Sequence, residues 1–201
     1  MKNRSDVFFP CIHFGHEGVV NKITCFVNED VRGLVKSIGL DDASVEKVIV
    51  ASRNHENSKE AANSIFVRIE NPNFQGRSYE LALAVADKLS RYNRYDDSKK
   101  YFATGIVESD GRGKISSIEN INEKLRLISS IISDNNVIFI PKDNIDGQDE
   151  EQKKLLSIIG EKKVSIFAIE NTKEINSSLG SINDLINQKK ISIIHYKHFV
   201  F

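Results

Sequence analysis

An α+β fold (α/β in its alternation of elements), with mixed sheets flanked by helices, is what this 201-residue chain predicts. Three observations carry that prediction. Short β-branched stretches alternate with helical patterns from Val19 to beyond Thr172. No Pro-, Gly- or Ser-rich linker divides them, so residues 1–201 read as one domain around one core. The stretch Leu81 to Leu89 is apolar on nearly every side, which requires cover from more than one neighbouring element.

The elements follow in order. Val19 to Val27 is rich in β-branched residues, and Leu34 to Ile38 reads as a second strand. Asp41 or Asp42 caps a helix that places Val45, Val48, Ile49 and Ser52 at helical spacing, ending near His55 to Asn57. Ser64 to Glu70 alternates as a half-buried strand, with Ile65, Val67 and Ile69 on one face. A loop with Pro72 and Gly76 leads to the apolar helix, and Arg91 to Lys100 reads as a charged loop. Tyr101 to Val107 is expected as one strand, with Asp110-Gly111-Arg112-Gly113 turning into another at Lys114 to Ile118. A helix from Glu119 to Ile132, a buried strand Val137 to Ile140, a helix near Glu150 to Ile159 and a strand Val164 to Ile169 follow. Another helix starts near Thr172, and Ile191 to Phe201 is again extended and apolar.

Composition narrows the function classes. Lysine plus arginine (28) balances aspartate plus glutamate (28), so no global field favours nucleic acid or an anionic membrane. No apolar run approaches the roughly 18–20 residues that span a bilayer, and Val7 to Phe14 is too short and interrupted for a leader's apolar core. Two cysteines cannot build a disulfide framework, so a cytoplasmic chain with reduced thiols is expected. Cys11, His13 and His16 are spaced so that several metal donors could lie close together, with His55, His195 or His198 completing a site. That spacing matches no familiar zinc module, and no metal or cofactor is expected.

Two residues stand out chemically. At about 100° per residue, Ile121, Leu125, Ile128 and Ile132 share one arc of their helix, and Lys124 falls inside the apolar sector. Such a lysine either snorkels to water along its stem, or loses solvation and becomes a base. Ser78, in Gln75-Gly76-Arg77-Ser78-Tyr79-Glu80, stands where loop gives way to helix. A serine there caps the helix, or acts as a nucleophile beside outward-pointing amides that stabilise an oxyanion.

The order of motifs around these residues resembles the proteolytic domain of Lon proteases. In that family an alternating strand leads into a Gly-Pro-Ser-Ala-Gly turn and a buried helix; here these are Ile65 to Ile69, Gly76-Arg77-Ser78 and Tyr79 to Leu89. The family's Thr-Gly pair appears as Thr104-Gly105, its glycine hairpin as Gly111-Arg112-Gly113, and its Gly-Gly-Ile-Lys-Glu-Lys segment as Glu119-Asn120-Ile121-Asn122-Glu123-Lys124. Its Ile-Pro-Lys-Asp-Asn stretch appears as Ile140 to Asn144, and Ile38-Gly39-Leu40 matches its upstream Leu-Gly segment. The resemblance covers about residues 18–178, leaving 179–201 as an extension. The chain departs from the pattern at Gln75, Arg77, Tyr79, Glu80, Ile106, Glu119 and Asn120.

The resemblance implies a serine peptidase with a Ser78–Lys124 dyad, Thr104 orienting the lysine, and backbone amides at Gly76 and Arg77 serving the oxyanion. It implies a protein or peptide substrate, and assembly of several copies is common among such domains. No Gly-x-x-x-x-Gly-Lys-Ser/Thr loop is present, so an ATPase or unfoldase would act in trans. The competing expectation is a catalytically silent Lon-like domain used for oligomerisation or partner binding.

Overall fold

A computed structural model describes residues 3–12 and 18–187. Among them the chain forms an α+β fold built on a seven-stranded mixed sheet and a two-stranded one. The large sheet begins with β1 (Arg4–Cys11), which pairs antiparallel with β2 (Val19–Arg32). Sequence patterning does not single out β1, because Val7-Phe8-Phe9-Pro10-Cys11 lacks polar alternation. The structure supplies the reason: β1 is an interior strand with Val7 and Phe9 buried on one face and Phe8 half-buried against the core of the other, so apolar residues stand on both faces.

β3 (Val35–Ile38) runs parallel to β4 (Asn63–Ile69), and β4 pairs antiparallel with β2. Between them lies α1 (Asp42–Arg53), whose N-cap Asp41 accepts the Ser44 amide at 2.9 Å. Asp42 bends back and accepts the Ser37 amide at 2.7 Å, occupying the outer edge of β3. A 3-10 turn, Lys59–Ala62, precedes β4.

Every residue of α2 (Glu80–Arg91) is buried. It lies against β1 and β2 with α1 packed beside it, sharing a core with Phe9, Ile23, Val45, Ile49, Val67 and Phe139. This is the cover that the apolar stretch required.

The expected single strand from Tyr101 to Val107 is two. β5 (Tyr101–Ala103) joins the large sheet parallel to β1, whereas β6 (Ile106–Val107) pairs with β7 (Ile115–Ser116) in the small one. The chain leaves the first sheet at Thr104-Gly105, where Gly105 lies so close to Leu81 that a methyl group would meet Leu81 Cδ2 at 2.9 Å and Pro141 Cγ at 3.1 Å. Only glycine lets the strand pass the foot of α2.

On the opposite face α3 (Ile121–Ile131) and α5 (Glu150–Gly160) cover Phe102, Ile138 and Ile140 with Leu125, Ile128, Leu156 and Ile159. β8 (Val137–Pro141) is fully buried and runs parallel to β5 and to the outermost strand, β9 (Ser165–Ile169). The short α4 (Lys142–Asp146), not read from the sequence, links β8 to α5. α6 (Glu174–Asn187) places Ile175 and Leu179 in the α2-side core. Ile191 to Phe201, expected as extended, lies outside the described residues. No described helix is long and apolar enough to cross a membrane.

Candidate functional site

Ser78 belongs to the turn that delivers the chain into α2. Gly76 opens it with φ of 89°, a left-handed conformation that a side chain would strain. The Ser78 residue is 9% exposed. Its carbonyl accepts the Gly105 amide at 2.9 Å, and the Gly105 carbonyl accepts the Leu81 amide at 3.1 Å. The serine therefore sits at the C-terminal end of β5, bound to the break in that strand. Its hydroxyl does not cap α2, whose N-cap is Tyr79 without a side-chain bond. The amides of Gly76, Arg77, Ser78 and Tyr79 have no acceptor among the described residues, so they are free for an incoming oxyanion.

The bulky residues around Ser78 are tied together. Arg77 donates to the Glu80 carboxylate through Nε at 2.7 Å and Nη2 at 3.1 Å. Glu80 also accepts the Val107 amide at 2.9 Å, and Arg77 Nη2 reaches the Val107 carbonyl at 3.0 Å. A cleft of about 220 Å³ lies beside this turn, lined by Ser44, Lys47 and Val48 from α1 and by Arg77, Tyr79, Glu80 and Val107.

Thr104 is fully buried; its amide bonds the Phe139 carbonyl at 3.2 Å, and its hydroxyl oxygen has no partner among the described residues. Strand alternation carries Thr104 to the face that holds Phe102 and α3. A buried hydroxyl without a partner costs free energy, which marks Thr104 as a side chain awaiting one.

Lys124 lies on the inner face of α3, as helical spacing predicts, and is 8% exposed. Among the described residues its amine makes no ion pair and no hydrogen bond. Burial lowers its pKa from the ordinary lysine value, while Cys11, Glu119 and Glu123 pull it upward without prevailing. The helix starts from Asn120, which adopts φ of 55° as the N-cap. The structure thus joins Ser78 to the Thr104-Gly105 break and buries Lys124 on α3, on the opposite face of the large sheet from α2. It draws no hydrogen bond between the Ser78 hydroxyl and the Lys124 amine.

Cys11 is the neighbour of Lys124 that sequence reasoning assigned elsewhere. Its thiol bonds the Val19 carbonyl at 3.6 Å, and burial raises its pKa to about 11 against the opposing pull of Lys124. His13, His16, His195 and His198, the other candidate donors, lie outside the described residues. Among the described residues no group of three metal donors forms. His55 ends up beside Gly113, its Nδ1 buried without a partner and its pKa lowered by burial and then by Lys88.

Glu80 is the residue that motif reading undervalued. As a departure from a family pattern it looked disruptive; as Arg77 and Glu80 three positions apart at a helix start, it was a readable ion pair. No protein-family model matches the chain, and no curated protein matches it.

Proposed function

We propose that this chain is a Lon-type serine peptidase domain that hydrolyses peptide bonds through Ser78 and Lys124. Neutral Lys124 accepts the Ser78 hydroxyl proton as that oxygen bonds to the substrate carbonyl carbon. The oxyanion is received by the free amides of the Gly76 to Tyr79 turn. Collapse of the adduct breaks the carbon–nitrogen bond, and the departing amine takes the proton from Lys124. Water, deprotonated by the same amine, then releases the acyl group from Ser78. Thr104 serves as hydrogen-bond partner to the lysine.

The observation that carries this reading is Lys124 itself. A lysine buried on a core-facing helix surface, with no carboxylate partner among the described residues, is held at a cost that a purely structural role does not need. The orphan Thr104 hydroxyl and the acceptor-free amides beside Ser78 support it further. The substrate is a protein or peptide; an unfolded one can reach the serine without a motor to present it, and an ATPase or unfoldase partner would supply folded ones.

The test is cleavage of an unfolded protein by the purified chain. Ser78→Ala and Lys124→Ala are each expected to abolish it; cleavage that persists in both eliminates the dyad. A second reading, a silent Lon-like domain used for assembly or partner binding, is favoured by the missing Ser78–Lys124 hydrogen bond and by Arg77, Tyr79 and Glu80 crowding the serine. A serine-directed covalent probe separates the two: labelling of Ser78 that depends on Lys124 supports the peptidase.

A further inference from the structure

We infer that Arg77 and Glu80 are positioning residues for Ser78, an ion-pair clamp that holds the serine turn against β6, the strand that follows Thr104-Gly105. The inference rests on the peptidase reading above. Glu80 is the first residue of α2, yet its side chain is only 6% exposed, against 49% for Arg77. A buried carboxylate persists only where its oxygens are satisfied, and three bonds do so here: two from Arg77, at 2.7 and 3.1 Å, and the Val107 amide at 2.9 Å. Arg77 closes the ring by donating to the Val107 carbonyl at 3.0 Å.

The clamp bridges over Ser78 and Tyr79. On its other flank the Ser78 carbonyl is bound to the Gly105 amide at 2.9 Å. The peptide bearing the serine is therefore held at residues 105 and 107, on either side of it, by the segment that follows Thr104. At the start of this turn a methyl on Gly76 would meet nothing within 4 Å, so no side chain there could brace it. The Arg77–Glu80 pair supplies the side-chain bonds that hold this end of the turn. An error of about 1 Å in a nucleophile's position costs on the order of 100-fold in rate, so such a clamp is read in chemistry before it is read in stability.

The test is the rate at which a fluorophosphonate probe labels Ser78, measured across pH in the full chain. Glu80→Gln keeps an acceptor for Val107 and loses the ion pair; a fall of about 10-fold is expected. Glu80→Ala loses both, with a fall of about 100-fold, and Arg77→Met resembles Glu80→Gln. In all three the rate falls in height while the pH midpoint set by Lys124 stays in place, and probe affinity is unchanged. Asp149→Ala, which removes the distant cap of α5, gives a destabilised control that labels at the parent rate. Undiminished labelling of Glu80→Ala, or a loss no larger than its loss of stability explains, overturns the clamp alone. A parent that folds and is not labelled at Ser78 overturns the peptidase reading, and the clamp's role with it.

Discussion

At the scale of single residues, Lys124 is the chemically informative one. Its folded pKa is lowered, mainly by burial, below the ordinary 10.5. Between those two values the unfolded chain holds more protons than the folded one, so stability attributable to this group rises as pH climbs toward 10.5. Lys124→Met removes the burden of a buried amine. The variant is expected to be more stable than the parent near neutral pH by on the order of 1 kcal/mol, with the advantage shrinking toward pH 10.5. Urea midpoints of both proteins across that range measure it, and a constant difference would show that the amine is not desolvated. Cys11 and Cys25 are buried free thiols, each with a pKa raised mainly by burial. Alkylation at mildly alkaline pH is expected to be slow for both and to accelerate together at the unfolding transition; early modification of Cys11 would mean that the end of β1 opens on its own.

Among the elements, α1 and the β5–β6 break show opposite relations between pattern and structure. Asp41 caps α1 as its residue type and place require, and Asp41→Ala is expected to cost about 1 kcal/mol in chemical denaturation. The break at Thr104-Gly105 is different. Tyr101 to Val107 has the β-branched and aromatic content of one strand, and local preference cannot report that Leu81 and Pro141 crowd its midpoint. Gly105→Ala is therefore expected to destabilise by roughly 1–3 kcal/mol, a cost of overpacking. It should also slow labelling of Ser78, because the Gly105 amide and carbonyl hold both the serine and the first turn of α2. A variant as stable as the parent would show that the foot of α2 is looser than these distances imply.

Across the whole molecule, a charged network pins α1 to α2. Arg53 and Arg91 bind Asp87, Arg91 and Lys88 bind Glu56, and Tyr92 donates to Glu56 at 3.0 Å. Burial raises the Asp87 pKa, yet Arg53 and Arg91 outweigh it and hold the carboxyl below the usual aspartate range. Asp87→Ala leaves the buried Arg53 without a carboxylate and Arg91 with Glu56 alone, and a loss of roughly 3–5 kcal/mol is expected from equilibrium unfolding. The network anchors the C-terminal half of α2, while the Arg77–Glu80 pair holds its entrance. A loss below about 1 kcal/mol would place the anchoring elsewhere, in the packing of Leu81, Leu83 and Leu89.

How much of this was legible follows from the range of each force. Helical and strand periods are local, so α1, β4, α5 and the buried face of α3, Lys124 included, were readable from residue order. Residue type at a loop–helix junction marked Ser78 as a capping or nucleophilic serine, and the structure removes the capping alternative. Interior β1 escaped because apolar residues on both faces erase its period, and the charged stretch from Arg91 was read as loop although Arg91 is fully buried, because its partners lie elsewhere in the chain. The sequence alone determined where the titratable and nucleophilic side chains fall along the chain and which face of each helix seeks the core. Only the tertiary structure decided what lies beside them, such as Val107 against Glu80 and Gly105 against Ser78, because hydrogen bonds and close packing act between residues that chain order keeps apart.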